Sequence, residues 1–128
     1  MARRPQDVTD AEREVLRVLW ERGPAPIRAL ADELYPGGGT SEYATVQKLL
    51  ERLHDKRHVA RRAEGRQHVW SARVKREELV ARRLRDTADE LCGGSLTPIL
   101  THLVSTARLS REELAELRRL VDRQSRKD

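Results

Sequence analysis

The chain has 128 residues, which excludes two large domains and allows one compact domain or a small domain with a helical extension. Charged residues make up 37% and phenylalanine is absent, so a core is built mainly from leucine, valine and alanine, while the net charge of +5 favours an anionic partner such as nucleic acid. The single cysteine excludes an intrachain disulfide, and because no apolar run reaches the length of a membrane span, we expect a cytoplasmic protein without a membrane partner.

Two helices are predicted at the start of the chain. The first runs from Thr9 to about Glu21, because Thr9 and Glu12 form a capping box and the apolar residues after them recur at helical spacing. Pro26 suits the first turn of a second helix, which the glycine-rich segment 35–39 ends. The apolar face of this second helix is Ile27, Leu30, Ala31 and Leu34.

A third helix is predicted from about Glu42 to Asp55, capped by Thr40 or Ser41, and it has two different faces. The apolar stripe consists of Val46, Leu49, Leu50 and Leu53. The residues that turn away from this stripe are Ala44, Thr45, Lys48, Glu51 and Arg52. The helix is therefore predicted to bury its apolar face in the core and to expose its polar face to solvent or to a partner.

Two short runs, Val59–Ala63 and Gln67–Ala72, then show partial alternation around a Glu64-Gly65-Arg66 turn, which is typical of a two-stranded hairpin. Between Lys48 and Arg73 the sequence carries eight basic and three acidic residues, so this stretch alone accounts for the net charge. Three helices followed by a hairpin predict a winged helix-turn-helix over residues 1–74.

Residues 75–128 show helical periodicity throughout and are predicted to form three further helices, with a break at Gly93-Gly94 and a cap at Ser110. These helices have broad apolar stripes but few large side chains, so we expect them to pack against a second copy of themselves, with packing solely on their own N-terminal domain as the alternative. The predicted dimerisation residues are Leu79, Leu84, Leu91, Leu100, Leu103, Leu117, Leu120 and Val121. The predicted fold class is thus mainly α with a small β hairpin: a winged helix-turn-helix followed by a helical dimerisation subdomain.

The third helix and the hairpin together give the clearest indication of function in the sequence. A helix fits the major groove of DNA, and a basic loop beside it reaches phosphates. The residues on the N-terminal half of the helix, where base edges are usually reached, are Ala44, Thr45, Gln47 and Lys48, and those around the hairpin turn are Arg61, Arg62 and Arg66. The alternative is a solvated helical face on which Lys48 and Arg52 pair with nearby acidic residues such as Glu51 and Asp55.

Other side chains that could carry chemistry form no recognisable site. Segment 37–41 lacks the lysine and the preceding strand of a P-loop, so we interpret it as a turn. Cys92 and the histidines lack metal-site spacing, and we interpret Cys92 as a small buried hydrophobic residue, with a redox role as the alternative. We expect surface or wing positions for His54, His58, His68 and His102. No nucleophile lies beside a base, so no enzyme, cofactor or metal site is predicted.

Four segments together resemble the penicillinase-repressor family of bacterial transcriptional regulators (BlaI/MecI/CopY type), and the resemblance spans nearly the whole chain. They are Thr9-Asp10-Ala11-Glu12 through Val18-Leu19-Trp20, the helix from Tyr43 to Leu53, the wing Glu64-Gly65-Arg66 through Trp70, and Arg76-Glu77-Glu78-Leu79. The resemblance implies a homodimeric repressor whose winged helices each dock on half of a palindromic operator in double-stranded DNA. Its C-terminal helices would intertwine.

The resemblance also implies which residues meet DNA. Side chains that would face the major groove are Ala44, Thr45, Gln47 and Lys48, and those that would neutralise phosphates are Arg52, Arg61, Arg62 and Arg66. Ser41 and Tyr43, at the start of the same helix, complete the predicted DNA-binding set.

Two departures from the family pattern concern the inducing signal. Family members released by a sensor protease are cut at an asparagine–phenylalanine bond, and this sequence contains neither residue type. Copper-responsive members carry a cysteine cluster near the C-terminus, and residues 123–128 contain no cysteine. The signal, and any upstream sensor or protease, is therefore left unidentified.

A competing hypothesis is a winged-helix protein-interaction module that does not read DNA sequence. A repressor predicts an affinity that falls steeply with salt and differs between operator and random DNA. An interaction module predicts neither.

Overall fold

The computed structural model describes residues 7–127, which form six helices and three short strands. The helices are α1 (Asp10–Arg22), α2 (Ile27–Leu34), α3 (Thr40–Asp55), α4 (Arg76–Leu91), α5 (Thr97–Thr106) and α6 (Arg111–Ser125). The strands are β1 (Ala25–Pro26), β2 (Val59–Glu64) and β3 (Gln67–Ala72). The chain divides into two compact units, the first extending to Val80 and the second beginning at Ala81.

One apolar core holds the first unit together. Its fully buried leucines come from each of the first three helices: Leu16, Leu30, Leu50 and Leu53. The predicted apolar stripe of α3 is confirmed, because its four members are all buried. The predicted capping box of α1 is also confirmed: the Glu12 N–H donates to Thr9 Oγ1 at 3.1 Å, and the Thr9 N–H donates to Glu12 Oε1 at 2.8 Å.

The start of α3 differs from its prediction. The N-cap residue is Gly39 rather than Thr40 or Ser41, and the helix begins at Thr40. Glu42 explains the difference, because its Oε2 accepts hydrogen bonds from the Gly39 N–H and the Ser41 hydroxyl, both at 2.9 Å. The turn before it requires glycine, since a Cβ on Gly38 would lie 2.9 Å from a backbone oxygen of Tyr35.

The sheet has one more strand than the sequence predicts. The strand order is β1-β3-β2, all antiparallel, and the unpredicted β1 pairs Ala25 with Trp70. A two-residue strand shows no alternation, so no periodic signal marks it. The predicted hairpin is confirmed, with Arg61 opposite Trp70 and a two-residue turn in which Gly65 adopts a φ of +65°.

The segment where the chain leaves the winged helix is tied to α1. Trp20 Nε1 donates to the Val74 carbonyl oxygen at 2.8 Å, and the guanidinium of Arg76 lies 5.2 Å from the Trp20 ring centroid. Leu79, assigned from the sequence to dimerisation, packs against the core of this first unit. The first unit thus extends past the predicted boundary at 74/75 and includes the first turn of α4.

The second unit contains the rest of α4 together with α5 and α6. Ser110 caps α6 as predicted, since its Oγ accepts from the Glu113 N–H at 3.0 Å. Among the described residues of this unit Ala88 is buried, whereas α5 and α6 contain no buried residue. Cys92 is partly exposed rather than buried, because it lies just beyond the end of α4 beside the turn at Gly93-Gly94.

Candidate nucleic-acid interface

The exposed face of α3 contains every side chain predicted there to contact DNA. The exposed members of this set are Ser41, Tyr43, Ala44, Thr45, Gln47, Lys48 and Arg52. The Thr45 hydroxyl donates to the Ser41 carbonyl oxygen at 2.9 Å, so the hydroxyl is engaged by the helix itself. The hydroxyl of Ser41 donates to Glu42 and, together with the N–H of Gly39, lowers the pKa of the Glu42 carboxyl.

Lys48 and Arg52 remain available to a partner. Within residues 7–127 neither side chain forms an ion pair, with Glu51, Asp55 or any other carboxylate. The structure therefore does not show the alternative in which Lys48 and Arg52 pair with acidic residues of the same helix. Both positive charges are exposed at the surface of α3.

The three wing arginines do not lie on one side of the hairpin. Arg61 stands opposite Trp70, and its guanidinium lies 5.7 Å from the Trp70 ring centroid, a cation–π arrangement. Arg62 is the next residue of the strand, so it points to the opposite face, where it forms an ion pair with Glu64 at 3.2 Å. Arg66 is exposed at the turn.

A groove runs between α3 and the wing. Side chains that line it include Gln47 and Glu51 from α3, Arg61 and Arg66 from the wing, and Trp70 at the centre of the sheet. Arg28 of α2, which was not predicted as a site residue, lines the same groove. A single exposed arginine on a short helix carries no local signal, and only the packing of α2 beside α3 brings it here.

Family comparison places this geometry among known proteins. The Penicillinase repressor family matches residues 8–123 of the chain. The chain belongs to the penicillinase repressor family. This is a family of DNA-binding transcriptional repressors, and the family resemblance stated from the sequence is confirmed.

Two relatives and one solved structure show the extent of the similarity. A 16.5 kDa protein from the ptsI 3′ region of Latilactobacillus sakei is 28% identical over 121 residues, covering 94% of this chain and 82% of that protein. The penicillinase repressor of Bacillus licheniformis is 26% identical over 124 residues, covering 95% of this chain and 94% of the relative. The solution structure of the DNA-binding domain of the repressor BlaI is 26% identical with a TM-score of 0.50, covering 60% of this chain and 93% of that domain. The predicted fold class is confirmed.

A buried ion pair fixes the C-terminal end of α3 in this family member. Lys56, the C-cap residue, places its Nζ 2.7 Å from Glu12 Oε1 and 3.0 Å from Oε2, and it also donates to the Asp7 carbonyl oxygen at 2.7 Å. The Glu12 side chain is fully buried. Burial alone would raise the pKa of Glu12, but the hydrogen bonds from Lys56 and Thr9 outweigh it and lower the pKa.

The histidines of this repressor differ in environment. His58 is buried, contrary to the surface or wing position expected for it, because the chain reverses at this residue between α3 and β2, and its carbonyl oxygen accepts from the N–H groups of Arg73 and Val74. The ring of His54 meets the Trp70 ring edge-on, with centroids 6.1 Å apart. Across residues 7–127 no group of three or more histidine, cysteine or acidic side chains is arranged to hold a metal ion.

No helix within the described part of the chain has both the length and the apolar character of a membrane span.

Proposed function

We propose that this repressor binds a palindromic promoter operator as a homodimer and is released by a signal still to be identified. Each winged helix occupies one half-site, with α3 in the major groove and the wing along the phosphate backbone. The observation that carries the proposal is the α3 surface beside the groove: polar side chains free of ion pairs at the N-terminal half of α3, next to exposed arginines of the wing.

The second unit supports a dimer. Ten large apolar side chains from Ala81 onward are exposed in a single chain, and the exposed fraction reaches 77% at Leu91 and 56% at Leu100. Apolar surface of this extent on a small unit is buried when a partner is present. Because the same stripes occur on every copy, a second copy of the chain is a self-complementary partner, and two-fold symmetry then relates the two winged helices.

Base contacts are proposed for the N-terminal half of α3. Gln47 pairs with adenine through its side-chain amide, whose oxygen accepts from the N6 amino group and whose NH2 donates to N7. Lys48 donates to guanine, and Ala44 lies on the same face. Since the Thr45 hydroxyl is bonded to Ser41, the Thr45 methyl group is the part left to contact a thymine methyl. The two half-sites are expected to lie about 10 base pairs apart, centre to centre, or a multiple of it.

Replacing Gln47 by alanine is expected to weaken operator binding by about 1 to 3 kcal/mol per half-site and random duplex binding by much less. A paired amide reads one base edge, so its loss affects the matched site alone. The operator is first recovered by selecting random duplexes on the wild-type protein. Both affinities are then measured at one salt concentration, with Lys48→Ala in parallel. Equal losses on operator and random DNA would assign Gln47 to positioning and specificity to DNA shape.

The wing supplies a second test with a matched control in the same hairpin. Arg66→Gln is expected to weaken operator and random DNA alike and to lower the slope of log affinity against log salt by about 0.9 per subunit. Arg62→Gln removes the same charge, but Arg62 lies on the opposite face and is paired with Glu64, so a smaller change in slope is expected. Equal slopes for wild type and Arg66→Gln would place the wing away from DNA.

The competing proposal, a protein-interaction module, differs in its dependence on salt. An interaction module predicts no preference among duplex sequences. It also predicts that removing charges from α3 or the wing leaves the slope of log DNA affinity against log salt unchanged. Genomic footprinting of the native protein, with and without candidate inducers, distinguishes the two and searches for the signal.

A further inference from the structure

We propose that Arg28 completes a phosphate-binding groove with Arg61 and Arg66, and that one backbone phosphate of duplex DNA occupies this groove. The inference rests on the proposed function and adds to it a contact from α2. It also assigns an occupant to the space between α3 and the wing, which Arg28 lines together with Arg61 and Arg66.

The charge of the groove favours an anion. Its charged lining consists of three arginines and one carboxylate, Glu51, which leaves a net charge of +2 when His68 is neutral. Among residues 7–127 no carboxylate is ion-paired with Arg28, Arg61 or Arg66. Three guanidinium groups beside one unpaired carboxylate are not neutralised within the chain, and the planar guanidinium matches phosphate oxygens.

Trp70 supplies an independent observation. It lines the groove, is 2% exposed, and its Nε1–H is buried with no hydrogen-bond acceptor among the described residues. A buried donor without an acceptor is costly and uncommon, whereas Trp20, the other tryptophan, has its acceptor in the Val74 carbonyl. An oxygen of the bound phosphate would provide the missing acceptor if the side chains that cover Nε1 shift on binding.

The same tryptophan orients the wing side of the site. The guanidinium of Arg61 lies over the Trp70 ring, which reduces the freedom of a long side chain before DNA arrives. The backbone at Arg28 is fixed from the other side, because α2 is packed on the core through Leu30 and Ala31. Two elements remote in sequence thus present their arginines to one space.

The position of Arg28 indicates a DNA phosphate as the source of the anion. Arg28 also lines a second groove at the start of α3, together with Gly39, Thr40 and Tyr43. It therefore lies beside the end of α3 that carries Thr45, Gln47 and Lys48. A DNA strand that borders the major groove runs along an inserted helix, and one of its phosphates is expected where α2 and the wing both approach that helix.

The test is Arg28→Gln in the full-length protein, with Arg13→Gln as the matched control. Arg13 is an exposed arginine of α1 that lines neither groove and pairs with Asp10. For Arg28→Gln we expect about a tenfold loss of affinity per half-site on operator and random DNA alike, and a salt slope lower by at most about 0.9 per subunit, because Arg61 and Arg66 still contact the same phosphate. For Arg13→Gln we expect an unchanged slope.

Trp70→Phe keeps the ring and removes the N–H, so it tests the acceptor separately. Relative to wild type, we expect Trp70→Phe to bind DNA more weakly with an unchanged slope of log affinity against log salt. Thermal unfolding of the variant shows that it is folded. If Arg28→Gln matches Arg13→Gln while Arg66→Gln lowers the slope, the inference is overturned and the proposed function stands. If wild type shows no salt-dependent binding to any duplex, the proposed function itself fails.

Discussion

A chain that ends at Val80 is expected to bind the operator about 10² to 10⁴-fold more weakly than the full chain. In the proposed dimer, once one winged helix has bound its half-site, the second is held close to the other half-site. Without residues 81–128 the second winged helix has to bind from solution. Cutting at Val80 keeps Val74 and Leu79, both of which pack against the first core, so the winged helix retains its fold. Titration of operator, single half-site and random duplexes measures the loss.

Two measurements make this prediction specific. The half-site affinity of the truncated chain is expected to equal that of one winged helix in the full chain, which shows that the interface itself is intact. Sedimentation equilibrium of the full chain is expected to give a dimer at micromolar concentration. A monomer there, or equal operator affinities for the two chains, would contradict the homodimer.

Replacing Lys56 by methionine is expected to lower the free energy of unfolding by about 3 to 5 kcal/mol, because it leaves the buried Glu12 carboxylate without its counter-charge. The double variant Glu12→Gln/Lys56→Met is expected to recover most of this loss. Glutamine keeps the hydrogen bond that caps α1 and buries no charge. Urea unfolding of the three proteins measures the difference. A single variant as stable as wild type would show that the pair contributes little.

The same pair predicts a pH dependence. The pKa of Glu12 in the folded protein is lower than its ordinary value of 4.5, since hydrogen bonds from Lys56 and Thr9 outweigh the effect of burial. The stabilisation is therefore fully present above 4.5 and is lost as the pH falls through the folded-state pKa. The gap in stability between wild type and Lys56→Met is expected to narrow in acid. A gap independent of pH would assign the effect to packing rather than charge.

Local patterns in the sequence predicted the parts of the site that depend on one helix. The spacing of Val46, Leu49, Leu50 and Leu53 determines which side of α3 is buried, and so it also determines that Gln47 and Lys48 are exposed. The capping box of α1 and the cap of α6 at Ser110 are equally local, and both occur as predicted.

Contacts between remote residues could not be read in this way. Glu12 and Lys56 are separated by 44 positions, and Glu12 already had a complete local explanation as a capping residue. Arg28 carries no signal of its own. Because side chains alternate along β2, Arg61 and Arg62 point to opposite faces of the sheet. The prediction of a single basic turn did not include this difference. The roles of Arg28, Arg61 and Arg62 in DNA binding stay predictions.

The anchoring of α4 at Trp20 has a consequence for the way the chain opens. The first turn of α4 shares the core of the winged helix through Leu79, whereas the part beyond Val80 belongs to the second unit. One continuous helix is thus divided between two compact units, with no glycine or proline at the division. In amide hydrogen exchange we expect the protection of the backbone N–H groups to change partway along α4. The boundary between regions that open together would then lie inside a helix rather than at its end.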